Sequence, residues 1–245
     1  MPIPRRDENP SHRPWPAIVQ DGWKWLLFIG MILVLLATFL WLPVVQRPTW
    51  DAATNGWKPQ PWPLFRIMIF HVPMSWVASL AFLVATAHSI HVLRTGSRLS
   101  DLKAAIACEL GLFFGILATV TGSIWARYEW GSFWNWDPRE TSILILILIY
   151  GAYFALRSAV ASEETRARLS AVYAILAFLL VPFLVFLVPR MVESLHPAPI
   201  FDRQGKMQMD GGLLLVFGAS LALFTILFGW LWRLKVSIVR ARDRW

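Results

Sequence analysis

Two histidines and a dense run of tryptophans are the residues of this chain whose types and spacing could do chemistry. The segment from Trp125 to Thr141 reads Trp-Ala-Arg-Tyr-Glu-Trp-Gly-Ser-Phe-Trp-Asn-Trp-Asp-Pro-Arg-Glu-Thr, with four tryptophans, a tyrosine and a phenylalanine. Indole rings carry large apolar area and a polar N–H, so such a cluster wants a large flat partner. A lipid interface, another protein or a planar aromatic cofactor would each serve. His71, in Ile-Phe-His-Val-Pro-Met-Ser-Trp, and His196, in Glu-Ser-Leu-His-Pro, offer imidazoles that could ligate a metal when neutral. Taken singly, each is explained as well by a bland role, His71 as an interface histidine and His196 as polar loop surface.

The elements that must position these groups follow from composition. Of 245 residues 57% are hydrophobic and 16% charged, with a mean hydropathy of +0.53. That balance is far from a soluble domain and predicts an all-α, polytopic membrane protein. Six apolar runs suffice to cross a hydrocarbon core of about 30 Å, which needs about 20 helical residues. They are placed at about 25–45, 67–93, 104–126, 141–160, 169–189 and 211–232, in a single six-helix membrane domain over 1–245. The first run reads as a permanent helix rather than a cleaved signal. With the N-terminus inside, 15 of the 23 basic residues fall on the inner side, so both termini are expected in the cytoplasm. The net charge of +8 is then a topology signal and no evidence for nucleic acid. The first outer loop, with Trp50, Trp57 and Trp62 among its prolines, reads as an irregular interfacial segment. The tryptophan segment supplies the second outer loop, 127–140, and residues 190–210 the third.

This topology changes the odds on the histidines. Of the five, His71 and His196 alone reach the outer face, and from different helices. A haem iron takes two imidazoles from opposite faces of its ring, which separate segments supply. His88 and His91 compete, but they share one helix face roughly 25–30 Å below His71 at 1.5 Å per residue and cannot clamp one iron. Pro73 removes a helical N–H, and a kink is expected near His71. An aromatic belt accounts for Trp23, Trp25, Trp41, Trp230 and Trp232 at span ends. It accounts less well for Trp130, Trp134 and Trp136. If the segment is locally helical, Trp130 and Trp134 share a face and form a shelf for a porphyrin, with Gly131 allowing close approach. Trp125, Trp130, Gly131, Trp134, Trp136 and Asp137 are the candidate platform. Asp137-Pro138-Arg139-Glu140 also reads as a helix start, with Asp137 as N-cap, Pro138 at N1 and Glu140 closing a capping box. The positive end of that helix, with Arg127 and Arg139, would favour an anionic group such as a haem propionate. Glu109 reads as a polar contact within the bundle.

The single cysteine, Cys108, excludes an internal disulfide, a cysteine-ligated iron–sulfur cluster and a Cys-x-x-Cys-His haem site. No phosphate-binding loop of the Gly-x-x-x-x-Gly-Lys-Ser/Thr type occurs, so no nucleotide hydrolysis is expected of this chain, and it is read as a non-enzyme. Two other classes stay open on the residues alone: a membrane b-type redox subunit, and a structural partner whose tryptophans contact protein.

Trp-Gly-Ser-Phe-Trp-Asn-Trp-Asp resembles the tryptophan-rich "WWD" signature of haem-handling proteins in cytochrome c maturation, and the length and six spans are similar to those of its CcmC-type haem exporter members. The likeness extends through Thr121-Gly122-Ser123-Ile124-Trp125, to His71-Val72-Pro73 and to His196. The resemblance implies haem b bound transiently at the periplasmic face of the inner membrane, with the WWD segment as platform and His71 and His196 as axial ligands. It further implies an ABC-type export complex, with an ATPase subunit, a second membrane subunit and a small single-span subunit. Haem would pass to a periplasmic chaperone of the CcmE type. Pro138 and Glu140 are more similar to the WWD segments of the larger CcsA and CcmF synthetase relatives, which makes a synthetase component the alternative.

Overall fold

The computed structural model describes residues 17–43, 46–51, 56–196, 209 and 211–242. The basic positions Arg5, Arg6, Arg13 and Arg244, and most of the third outer loop beyond His196, lie outside the described residues. In chain order the elements are α1 (Ala17–Leu36) with a π-turn (Ala37–Trp41), β1 (Gln46–Asp51), β2 (Gly56–Pro61), a 3-10 turn (Pro63–Ile67), α2 (Met68–Thr95), α3 (Arg98–Trp130) and α4 (Pro138–Ala159). There follow α5 (Glu163–Pro182), a second π-turn (Phe183–Leu187), the short α6 (Val188–Met191) and α7 (Gly211–Arg242).

Among the described residues six helical stretches are long and apolar enough to cross a membrane: Gly22–Trp41, Pro63–Thr95, Arg98–Trp130, Pro138–Ala159, Glu163–Met191 and Gly211–Arg242. Each overlaps one of the six apolar runs read from the sequence, and most extend beyond it at one or both ends, while the first ends at Trp41, short of residue 45. Large apolar side chains point outward, Leu40 at 80% exposure and Leu26 at 70%. In a protein of this composition that outward face is a lipid face, since water would penalise it.

Inside, α2 packs most extensively on α3 and then on α5 and α7. The α2–α3 seam is made of small residues, Ala78, Ala81 and Ala85 facing Ala104, Ala107 and Ala118, all nearly fully buried. Small side chains let helix backbones approach where lipid removes the hydrophobic drive between helices. Phe82, Phe114, Leu146, Tyr150, Val181 and Phe224 fill the centre. Trp23 of α1 meets Trp230 of α7 edge to face at 5.9 Å, so the chain's first and last helices share an end.

Pro73 interrupts the ladder of α2, yet the helix runs through it. Its missing N–H frees the carbonyl of residue 69, and the buried Ser220 hydroxyl of α7 donates to that carbonyl. The proline defect thus becomes an α2–α7 tie two residues from His71.

The first interhelical loop differs from the irregular segment expected of it. β1 and β2 form an antiparallel hairpin in which Gln46 faces Pro61, Pro48 faces Pro59 and Trp50 faces Trp57. Antiparallel pairs alternate between those that exchange hydrogen bonds and those that do not. Pro48, Pro59 and Pro61 all fall on pairs of one parity, so the ladder needs no N–H from any of them. Proline spacing, read as a breaker, is here compatible with strand register.

Candidate functional site at the tryptophan end

The site gathers at the end of the bundle where α2 begins, α3 ends and α4 begins. His71 lies in the first turn of α2, one edge against α3. Its Nδ1 is 3.2 Å from the Thr121 hydroxyl oxygen. Thr121 in turn donates its own proton to the carbonyls of Leu117 and Ala118, at 2.9 and 3.0 Å. With that proton committed, the Thr121 oxygen acts as acceptor, and Nδ1 of His71 carries the hydrogen. The lone pair of the neutral ring is then on Nε2. Gly122 forms the floor beneath the ring: a Cβ there would lie 2.8 Å from His71 Cε1. The glycine is required by the close approach of the imidazole.

His196 is positioned quite differently. It follows α6 on a short non-helical segment, and its Nδ1 is 2.8 Å from Asp137 Oδ1. The Asp137 side chain is 1% exposed, that of His196 18%. Asp137 also accepts from the backbone N–H of Leu195 at 2.7 Å, from the Ser194 hydroxyl at 2.9 Å and from the backbone N–H of Arg139 at 2.9 Å. Burial pulls the His196 imidazole down to about 4, against the opposing attraction of the Asp137 carboxylate. For Asp137 burial acts upward, but the hydrogen bonds from Arg139, Leu195 and Ser194 outweigh it and hold the carboxyl below its usual range. Near neutral pH this is therefore a neutral ring donating Nδ1–H to a carboxylate, with Nε2 again holding the lone pair.

Asp137 does double duty. It is the N-cap of α4 in a complete capping box, with Glu140 reaching back to the Asp137 N–H at 3.3 Å and to the Asn135 N–H at 2.8 Å. The helix start expected from Asp137, Pro138 and Glu140 is thus present. What spacing did not reveal is that the same carboxylate carries His196 and Ser194 from 57 to 59 residues away.

The tryptophans divide into two groups. Helix α3 ends at Trp130 because Gly131 turns left-handed at φ 84°. Trp130 and Trp134 consequently do not share a helix face, and the continuous shelf expected of them is replaced by two clusters. The inner one holds Trp125, 8% exposed, with Trp130 edge-on at 4.9 Å and His196 against both at 6.1 and 4.9 Å. The outer one pairs Trp134 with Trp136 at 5.9 Å, and Trp136 is 72% exposed. Trp136 adopts φ 56°, the one non-glycine residue in the left-handed region among the described residues. Such a conformation costs energy for a bulky side chain and is maintained only where its surroundings impose it.

Arg127 donates to the Gly131 carbonyl and lies 5.8 Å from the Phe133 ring centre, so it secures the end of α3. Arg139 is half-buried beside Asp137, and Arg190 of α6 lies within electrostatic reach of it. Arg190 and Ser194 were not legible as site residues, since no local motif marks either. Trp62 donates to Glu129 Oε2 at 3.0 Å and ties the hairpin to the last turn of α3. Among the described residues three polar atoms at this end are buried without a partner, Arg66 Nε, Trp125 Nε1 and Glu140 Oε1. An unsatisfied donor beside His196 is what a site awaiting an acceptor group would show.

His88 and His91 are absent from this end. Both lie on α2 near the opposite end, and His88 stacks on Trp232 at 5.4 Å. Glu109 pairs with Lys235 there.

A six-span bundle with two imidazoles fixed in the same tautomer at a tryptophan-lined end defines a polytopic helical membrane protein with a candidate metal-ligating face. The chain belongs to the heme exporter protein C family, whose model matches residues 18–245. Heme exporter protein C of Bradyrhizobium diazoefficiens is 34% identical over 163 residues, 66% of this chain and 62% of its own length. The Paracoccus denitrificans protein of that name is 37% identical over 107 residues, 44% of each chain. That of Escherichia coli K12 is 28% identical over 145 residues, 55% of this chain and 59% of its own. The chain thus spans just under two thirds of the Bradyrhizobium relative and less of the other two.

Proposed function

We propose that this chain holds haem as cargo at its tryptophan end and delivers it outward for c-type cytochrome maturation, as a transport component rather than an enzyme. The single observation that carries the reading is the matched pair of imidazoles. His71 and His196 come from different segments, each has Nδ1 tied down, and each keeps Nε2 as the donor atom. Haem iron supplies two axial positions that such nitrogens fill. The inner tryptophans Trp125 and Trp130 would pack on the ring near His196, and Trp134 and Trp136 would cover it from the exposed side. The unpartnered Trp125 N–H, Arg139 and the start of α4 would favour its carboxylates. Arg190 joins this group, and Arg127 contributes by shaping the end of α3.

By the same reading the tryptophan end faces the periplasm and both termini the cytoplasm. The names of the relatives support an export system around the chain; an ATPase, a second membrane subunit, a small single-span subunit and a CcmE-type chaperone are the partners this reading assigns to it. A synthetase role gains nothing from Pro138 and Glu140, because the capping box of α4 accounts for both. A visible spectrum of the purified protein tests the proposal directly. A b-type spectrum that is lost in the His71→Ala/His196→Ala double variant is expected. Wild-type haem content in that variant would refute the ligand assignment, and absence of any chromophore after haem loading would refute haem.

A further inference from the structure

The half of the bundle away from the tryptophans holds polar side chains that the haem reading does not use. Asp101 of α3 and Arg157 of α4 form a two-pronged pair, at 2.6 and 2.8 Å. The Arg157 guanidinium lies 5.8 Å from the Tyr153 ring centre, and the Tyr153 hydroxyl lies beside the Cys108 thiol. One turn back along α4, Tyr150 stacks on Phe82 at 3.5 Å, within electrostatic reach of Cys108, Tyr153 and Tyr173.

Across the α2–α5 seam, the Thr86 hydroxyl approaches the Ala174 carbonyl at 3.5 Å. The two helices run in opposite directions. Ser89, three residues after Thr86, and Ser170, four before Ala174, therefore reach the same level on facing sides. Each is 1% exposed. Ser89 Oγ, Ser170 Oγ and Tyr150 Oη are all buried without a hydrogen-bond partner among the described residues. A serine can turn back to its own helix carbonyl, but a tyrosine hydroxyl cannot reach its own backbone. Unpaired hydroxyls are costly in any core and more so where lipid surrounds it.

We propose that Ser89, Ser170 and Tyr150 line an internal hydration site between α2, α4 and α5, closed toward the near end of the bundle by the Asp101–Arg157 pair. Water is the ligand that fits: it donates and accepts, and it typically makes about three hydrogen bonds in buried polar sites. Hydration there brings water to about the level of Cys108. The dry path between the two ends of the bundle is shortened accordingly.

Cys108, the only cysteine, reports on the site without further engineering. Its S–H stretch absorbs in a clear infrared window. After transfer of the intact protein to D2O in lipid nanodiscs, that band is expected to convert to S–D while the core helix amides remain protonated. The Arg157→Gln variant should speed the conversion by about tenfold, as expected for loss of a local closure. Retention of the S–H band for as long as the slowest amides would overturn the proposal. A stability measurement gives an independent arm. The Ser89→Ala/Ser170→Ala double variant and, separately, Tyr150→Phe should lower the thermal midpoint by a few degrees, about 3 °C for a chain of this size. An unchanged or raised midpoint would show that the hydroxyls are unpaired in a dry core, and would sink the idea. Neither arm depends on haem.

Discussion

His71 and His196 present the same nitrogen, but their seats are built on opposite plans. His71 belongs to a helix, its ring resting on the Gly122 backbone and its Nδ1 held by Thr121, all within the tight α2–α3 seam. His196 belongs to no helix, and its place depends on one carboxylate that also starts α4. Helix packing positions the first ligand, whereas a hydrogen-bond hub positions the second. The difference teaches that a rigid seat needs only small residues and a close approach. A seat at a loop needs a buried charge with several donors around it.

The comparison can be broken outright by removing both rings. The His71→Ala/His196→Ala variant should lose nearly all haem absorbance, read as pyridine haemochrome per mole of protein. Next in size is Asp137→Ala, which should weaken haem retention about 10- to 100-fold, the usual range for losing an orienting partner. It should also cost α4 its cap, of the order of 1 kcal/mol in stability. Because the damage is confined to the His196 side, a spectrum still showing two histidine ligands at full occupancy would refute the hub.

Gly122→Ala probes the other seat. A Cβ 2.8 Å from His71 Cε1 must displace the ring, and about a tenfold loss in haem retention is expected with His196 unaffected. Thr121→Val should be milder, a few-fold at most, because the Ala118 carbonyl remains close enough to accept from His71. If Thr121→Val hurt more than Asp137→Ala, the ranking of the two seats would be reversed.

The smallest effect concerns the strained residue. Trp136→Gly and Trp136→Ala both delete the ring, but only glycine accepts φ 56° without strain. The glycine variant should be more stable than the alanine variant by about 1 kcal/mol in chemical denaturation. Equal stability would mean that the left-handed turn relaxes once the indole is gone.

Much of this was readable beforehand because membrane insertion simplifies the problem. Six apolar runs could only be helices, and Asp137-Pro138-Arg139-Glu140 marked a helix start through local backbone chemistry that needs no tertiary partner. The hairpin is not legible in the sequence because proline frequency says nothing about pairing parity, which is set by how the two neighbouring strands line up. The tryptophan shelf required a locally helical segment, and that condition fails because Gly131 ends α3 one residue after Trp130, where a chain turn defeats any i, i+4 argument.

The sequence by itself determined the class of protein, the number of spans and which two histidines share an end, since burial in lipid and alternation of helices leave few options. Only the tertiary structure decided how each imidazole is held. The contacts of His71 with Thr121 and Gly122, and of His196 with Asp137 and Ser194, join most of their partners across about 50 to 60 residues. Spacing along the chain carries no information about such meetings. They exist because packed helices bring distant backbone into contact, and because a buried carboxylate must collect donors from wherever the fold supplies them.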